Sequence, residues 1–135
     1  MSDKQDLTGV WYGRYDADMW DETNGFIALL EEGGGALSGV ITERDTTGIA
    51  DVRRALVSGH RDGSAVAFVK QYDGTGGHDH AIDYSGQVDA EGLEMTGIWW
   101  QRGSHGRFVM EREKFTEEAL EAEEEAEMPL EEDWR

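Results

Sequence analysis

Leu7-Thr8-Gly9-Val10-Trp11-Tyr12 opens the patterned part of the chain, and its first four residues are the unit that decides the fold. An apolar residue, Ser or Thr, Gly and one further residue return as Leu37-Ser38-Gly39-Val40, Val57-Ser58-Gly59-His60, Tyr84-Ser85-Gly86-Gln87 and Met95-Thr96-Gly97-Ile98. Runs rich in β-branched and aromatic residues surround the copies. Turn signals separate them: Gly33-Gly34-Gly35, Asp45-Thr46-Thr47-Gly48, Asp62-Gly63, Asp73-Gly74, Ala90-Glu91-Gly92 and Arg102-Gly103. This spacing predicts eight strands, at residues 8–16, 25–32, 36–44, 51–61, 64–72, 79–88, 93–102 and 106–114. The single proline, Pro129, lies beyond all of them, as uninterrupted strand pairing requires.

Eight strands joined by short turns form an antiparallel up-and-down meander, so the expected class is all-β. Closing the meander into a barrel removes the two unpaired edges that an open sheet would expose. Glycines within strands suit tight coiling at barrel corners and close backbone approach. A β-sandwich is the alternative arrangement of the same strands. A barrel of eight strands either fills its interior with side chains or holds one small ligand.

Composition bounds the function. The 135 residues suffice for one barrel domain, residues 1–115, followed by an acidic tail at 116–135. The formal net charge is −18, from thirty Asp and Glu against twelve Lys and Arg. Nucleic-acid binding through phosphates needs clustered positive charge, so neither nucleic acid nor an anionic membrane is an expected partner. Half of the excess sits in the tail, where ten acidic residues meet one Arg. Thr116 can cap a short frayed helix there, or the tail is disordered; repelling glutamates and Pro129 limit any helix. Met128-Pro129-Leu130 and Trp134 give the tail an apolar element suited to docking, beside its plainer reading as a solubilising segment. No run of eighteen apolar residues is present, and the opening Met1-Ser2-Asp3-Lys4-Gln5-Asp6 has no apolar signal core, which makes cytoplasmic residence the expectation. The absence of cysteine excludes disulfides, thiol catalysis and Cys-ligated zinc.

Gly9-Val10-Trp11 is similar to the Gly-x-Trp at the first strand of calycin barrels, which include the lipocalins and avidins. The chain most resembles the avidin/streptavidin family: Gly35-Ala36-Leu37-Ser38-Gly39-Val40 its third strand, Leu56-Val57-Ser58-Gly59-His60-Arg61-Asp62 its fourth, Tyr84-Ser85-Gly86-Gln87-Val88 its sixth and Met95-Thr96-Gly97-Ile98-Trp99-Trp100 its seventh. The resemblance covers residues 7–115 in the same order. It implies a calycin-type barrel, Trp11 inward beside a basic residue of the last strand (Arg107 or Arg112), and a homo-oligomer. It does not imply biotin, because Gly13, Ile41, Glu43, Val69, His80, Ile82 and Tyr84 stand where that family carries its biotin-contacting groups, and each lost hydrogen bond leaves a buried polar group unpaired at about 1–3 kcal/mol.

Alternation along strands sets the candidate site. Gly9, Trp11, Gly13 and Tyr15 share a face of the first strand; Val66, Phe68, Lys70 and Tyr72 share one on the fifth; His78, His80, Ile82, Tyr84 and Gly86 share one on the sixth. On the seventh strand either Gly97, Trp99 and Gln101 or Ile98, Trp100 and Arg102 face inward. The candidate ligand-binding residues are Tyr15, Arg54, Phe68, Tyr72, His80, Tyr84 and Trp100, aromatic walls with a few polar groups that suit a small, partly apolar molecule. His78-Asp79-His80 places two imidazoles on one strand face, but it follows a glycine-rich loop and needs a third ligand, so no metal site is assigned. The acidic loop Asp16-Ala17-Asp18-Met19-Trp20-Asp21-Glu22 reads equally as a lid over the barrel mouth or as a surface loop. Without a nucleophile motif or a phosphate-binding strand–loop–helix, no catalytic residue and no cofactor is assigned, and the chain reads as a binding protein rather than an enzyme. The alternative is a filled barrel acting through its outer surface or its acidic tail; an enzyme using His80 is a third, weaker reading.

Overall fold

A computed structural model of the chain describes residues 3–17, 23–44, 52–77 and 79–112. Eight strands follow one another: β1 (Gly9–Ala17), β2 (Thr23–Gly33), β3 (Ala36–Arg44), β4 (Val52–Asp62), β5 (Ala65–Tyr72), β6 (Ala81–Val88), β7 (Glu94–Gln101) and β8 (Ser104–Glu111). Each pairs antiparallel with the next, and β8 returns to β1, closing the barrel. The sandwich arrangement is thereby excluded. Each observed strand lies within a few residues of its expected span; the last is β8 to Glu111, and residues 113–114 of its expected span lie outside the described residues. The expectations for residues 116–135, for His78, for the turn at 45–48 and for residues 18–22 of the acidic loop lie outside the described residues.

The Ser/Thr-Gly repeat has a packing role. Gly86 and Gly97 are directly paired across β6 and β7, and the Phe108 ring lies over both. A methyl group on Gly97 would sit 2.8 Å from the Phe108 ring and 2.5 Å from the Gly86 Cα. Gly59 makes the same allowance for Phe68, whose Cβ lies 2.6 Å from where a Gly59 side chain would start. The small residue on one strand is therefore the seat of a large one on its neighbour, which lets the strands coil tightly around bulky interior groups.

The floor of the barrel is sealed. Trp11 is fully buried and donates its indole N–H to the Leu7 carbonyl at 2.9 Å. Arg112 lies over the Trp11 ring, 4.3 Å from its centroid, and donates to the carbonyls of Gly92 (2.7 Å), Thr8 (2.9 Å) and Asp6. Of the two basic residues considered beside Trp11, it is thus Arg112 that takes the position, while Arg107 is exposed on the outer face. Nearby, Arg61 forks onto both oxygens of Glu32 at 2.6 and 2.8 Å and onto Asp3 at 2.5 Å, tying the segment before β1 to β2 and β4.

Candidate functional site

The opposite half of the lumen holds charge. Strand register explains how it gathers. Gly13, Phe26, Glu43 and Arg53 are successive directly opposed residues across β1, β2, β3 and β4. All four face inward, with the Phe26 ring occupying the space that a side chain at Gly13 would need. A second row runs Trp11, Ala28, Ile41, Ala55 and Tyr72, whose two alanines leave room for the larger groups. Lys70 is flanked by Val57 and Ile82 and reaches across the lumen to Glu43.

Glu43 is the hub. Its Oε2 accepts from the Tyr15 hydroxyl at 2.8 Å, and its Oε1 accepts from the Tyr72 hydroxyl. Lys70 Nζ lies 3.0 Å and Arg53 Nε 3.4 Å from Oε1. Arg53 Nη2 and Asn24 Nδ2 each donate to the Tyr15 hydroxyl at 3.1 Å. Lys70, with no exposed surface, is otherwise walled by aromatic faces: Tyr15 at 4.7 Å, Tyr72 at 4.8 Å, Phe26 at 5.6 Å and Tyr84 at 5.8 Å. The Lys70–Glu43 contact is close but poorly aligned as a hydrogen bond, so it acts as an ion pair.

Burial and charge pull these groups in opposite directions. Burial disfavours the Glu43 carboxylate, but the Lys70 charge and the hydrogen bonds from Tyr72 and Tyr15 outweigh it and hold the group below the ordinary carboxylate range. Burial lowers the Lys70 ammonium, only partly offset by Glu43. Desolvation, then the Glu43 charge, pushes Tyr15 and Tyr72 up, so both hydroxyls remain protonated donors. Tyr84 is pushed up chiefly by burial. Its hydroxyl has no hydrogen-bond partner among the described residues.

The sequence-derived candidates divide by strand face. Tyr15, Phe68, Tyr72 and Tyr84 face the lumen, with Tyr84 stacked on Phe68 at 4.8 Å and edge-on to Phe108 at 5.1 Å. His80 is exposed just before β6, its ring 4.7 Å from that of Tyr72, at the rim of the same half. Two placements need correction. Arg54 points outward, and the lumen arginine is its neighbour Arg53. Trp100 is 41% exposed on the outer face, whereas Trp99 is 3% exposed, lies edge-on to Tyr15 at 6.0 Å and donates to the Asp16 carbonyl at 3.0 Å. Strand β7 therefore turns Gly97 and Trp99 inward. The three charged residues Glu43, Arg53 and Lys70 were not among the candidates; the apolar phase of Ala55 and Val57 on β4, and of Val66 and Phe68 on β5, is the signal that points to Arg53 and Lys70.

A floor sealed by Trp11 and Arg112 beneath a lumen with buried charge defines the class: a closed eight-stranded antiparallel β-barrel. Among solved structures it is similar to a redesigned β-barrel, with a TM-score of 0.67 at 11% identity over 80% of this chain and 92% of that one. It is also similar to a de novo designed fluorescence-activating β-barrel, with a TM-score of 0.61 at 11% identity over 84% of this chain and 100% of that one. No protein-family model matches the chain, and no curated protein matches it. At this identity the likeness concerns the fold alone.

Proposed function

We propose that the barrel binds a small, partly apolar molecule non-covalently in the half of the lumen lined by Tyr15, Lys70, Tyr72 and Tyr84. The observation that carries this reading is the buried Glu43–Lys70–Arg53 cluster with its tyrosines, set away from the sealed floor. A barrel built only for stability would often lose nothing by filling the same volume with apolar side chains, because buried ion pairs are often no better than their hydrophobic replacements. The resemblance of the Gly-x-Trp strand to calycin barrels, and the similarity to a fluorescence-activating designed barrel, are consistent with this reading. A thermal-shift screen against a metabolite panel tests it. A ligand at a hundred times its Kd adds about 2.7 kcal/mol to the folded state, several degrees in Tm. A panel without any shift counts against lumen binding.

A second reading, association through the outer surface, has its own support. Val10, Leu29, Val40 and Leu56 are successive directly opposed residues on the outside of β1, β2, β3 and β4, with Tyr12 and Ile27 paired beside them. All six are between 37% and 62% exposed. Together they present on the order of 500 Å² of apolar surface, in the upper part of the about 300–600 Å² that the largest patch of a monomer presents and a large part of the ~800 Å² per partner of a stable interface. We propose a second copy of the chain as the occupant, since a two-fold contact sets this uncharged row against itself. The net charge of −18 opposes such pairing, so dimerisation should strengthen with salt. Light scattering of the parent and of Leu29→Lys/Leu56→Lys in low and high salt tests it. A parent that stays monomeric at high salt overturns the reading.

A further inference from the structure

The apolar outer face of β1 to β4 has a direction, which its register reveals. One row runs Val10, Leu29, Val40 and Leu56, and the row beside it runs Tyr12, Ile27, Thr42 and Arg54. On the other side of the first row lie Glu31, Ser38 and Ser58, on β2, β3 and β4. The second row therefore has an aromatic ring at one end and a guanidinium at the other. Tyr12 is 62% exposed, the most of any large apolar residue among those described. Arg54 is exposed as well and makes no hydrogen bond or ion pair among the described residues. Within one copy β2 and β3 stand between the two, so ring and charge do not meet.

Two barrels set face to face are convex, so they touch first at β2 and β3 and part towards β1 and β4. The shorter side chains of Ile27, Leu29, Val40 and Thr42 at the centre, with the longer Tyr12 and Arg54 at the margins, suit that shape. Aligned packing of two sheets admits a two-fold axis across the strands or along them. An axis across the strands lays each strand over its own copy and brings the two Arg54 residues to one margin. An axis along the strands, between β2 and β3, lays each row over itself in reverse. Strand β1 then lies over β4 of the second copy, Leu29 over Val40, and Glu31 over the uncharged Ser58. We infer that the second copy docks with its two-fold axis along the strands, and that the Tyr12 ring of each subunit is covered by Arg54 of the partner subunit. The inference rests on the dimer reading and adds the pair that fixes its orientation. One cation–π contact at each margin closes the gap that curvature leaves and keeps water from the apolar rows between them.

Exchanging charges across the interface tests this, with the dimer constant read by sedimentation equilibrium over a salt series. Arg54→Glu should weaken pairing about tenfold more than Arg102→Glu, which makes the same charge change in the turn between β7 and β8. Tyr12→Lys reduces the net negative charge, yet it should also weaken pairing, because two cations then face each other at both margins. The double variant Tyr12→Lys/Arg54→Glu should return to within about threefold of the parent, since opposite charges now meet. An axis across the strands gives the reverse: like charges are opposed at both margins, and the double variant pairs no better than the weaker single one. All these positions are exposed, so the variants keep their fold, which circular dichroism checks. Arg54→Glu no weaker than Arg102→Glu, or a double variant that fails to recover, overturns the Tyr12–Arg54 pair while leaving the dimer intact. A parent that stays monomeric at high salt removes both.

Discussion

Glu43→Gln is the perturbation that most directly probes the lumen. The substitution preserves shape and one carbonyl oxygen but removes the charge that faces Lys70 at 3.0 Å and Arg53 at 3.4 Å. It also sets an amide NH2, which cannot accept, against one of the two tyrosine hydroxyls and turns the other hydrogen bond from charge-assisted into neutral. Bonds to a charged group contribute about 1.5–3 kcal/mol each, against about 1 kcal/mol for neutral ones. Removing one member of a buried pair typically costs about 3–5 kcal/mol, mostly because the abandoned charge stays buried. Lys70 has no exposed surface through which to reach water, so the cost should fall inside that range, near 4 kcal/mol. Urea unfolding followed by tryptophan fluorescence reads this well, since Trp99 lies beside Tyr15 and Trp11 is fully buried at the floor. The midpoint should fall with an unchanged slope. Adding Lys70→Met to Glu43→Gln should recover about 2 kcal/mol relative to the sum of the single changes, because the two residues interact directly. A Glu43→Gln protein within about 1 kcal/mol of the parent, or single effects that add to within about 0.5 kcal/mol, refutes the reasoning.

Three other outcomes follow from the same geometry. Acid should erase the difference between the parent and Glu43→Gln: the folded pKa of Glu43 lies below its ordinary 4.5, so its stabilisation is present above that value and is lost as pH falls through the lower folded one. Urea midpoints of both proteins at neutral pH and stepwise below 4.5 measure this, and a gap that stays constant counts against it. Arg112→Ala should cost about 3 kcal/mol, from the lost contact with the Trp11 ring and three abandoned carbonyls; Arg112→Lys should recover less than half of the Tm loss, because one ammonium cannot span the same acceptors. Gly97→Ala should destabilise by about 2–3 kcal/mol through overpacking, since the new methyl group meets the Gly86 backbone and the Phe108 ring; a Tm equal to that of the parent would show that β6 and β7 can part freely.

Much of this was legible in local pattern. The Ser/Thr-Gly repeat, the turn signals and the lack of proline before Pro129 are properties of short windows, and they determined eight antiparallel strands close to their observed bounds. Alternation determined which residues share a face, so Trp11 with Tyr15, and Phe68 with Tyr72, were placed together correctly. Which face turns inward is a different matter. On β4 and β7 large apolar residues occupy both phases, Leu56 beside Val57 and Ile98 beside Trp99 and Trp100, and a two-residue period cannot choose between them. The choice is made by neighbours: Trp99 faces inward where its opposed residue is Gly106 and its indole can reach the Asp16 carbonyl. The same register carries Arg53 inward and Arg54 outward. Glu43, Arg53 and Lys70 lie on three strands, and nothing in any one of them announces the other two. Glu43 and Arg53 meet through the direct pairing of β3 with β4, and Lys70 joins them from β5 on the same inner face, so the energy that lets a lysine be buried there comes from the register of three neighbouring strands and not from its own.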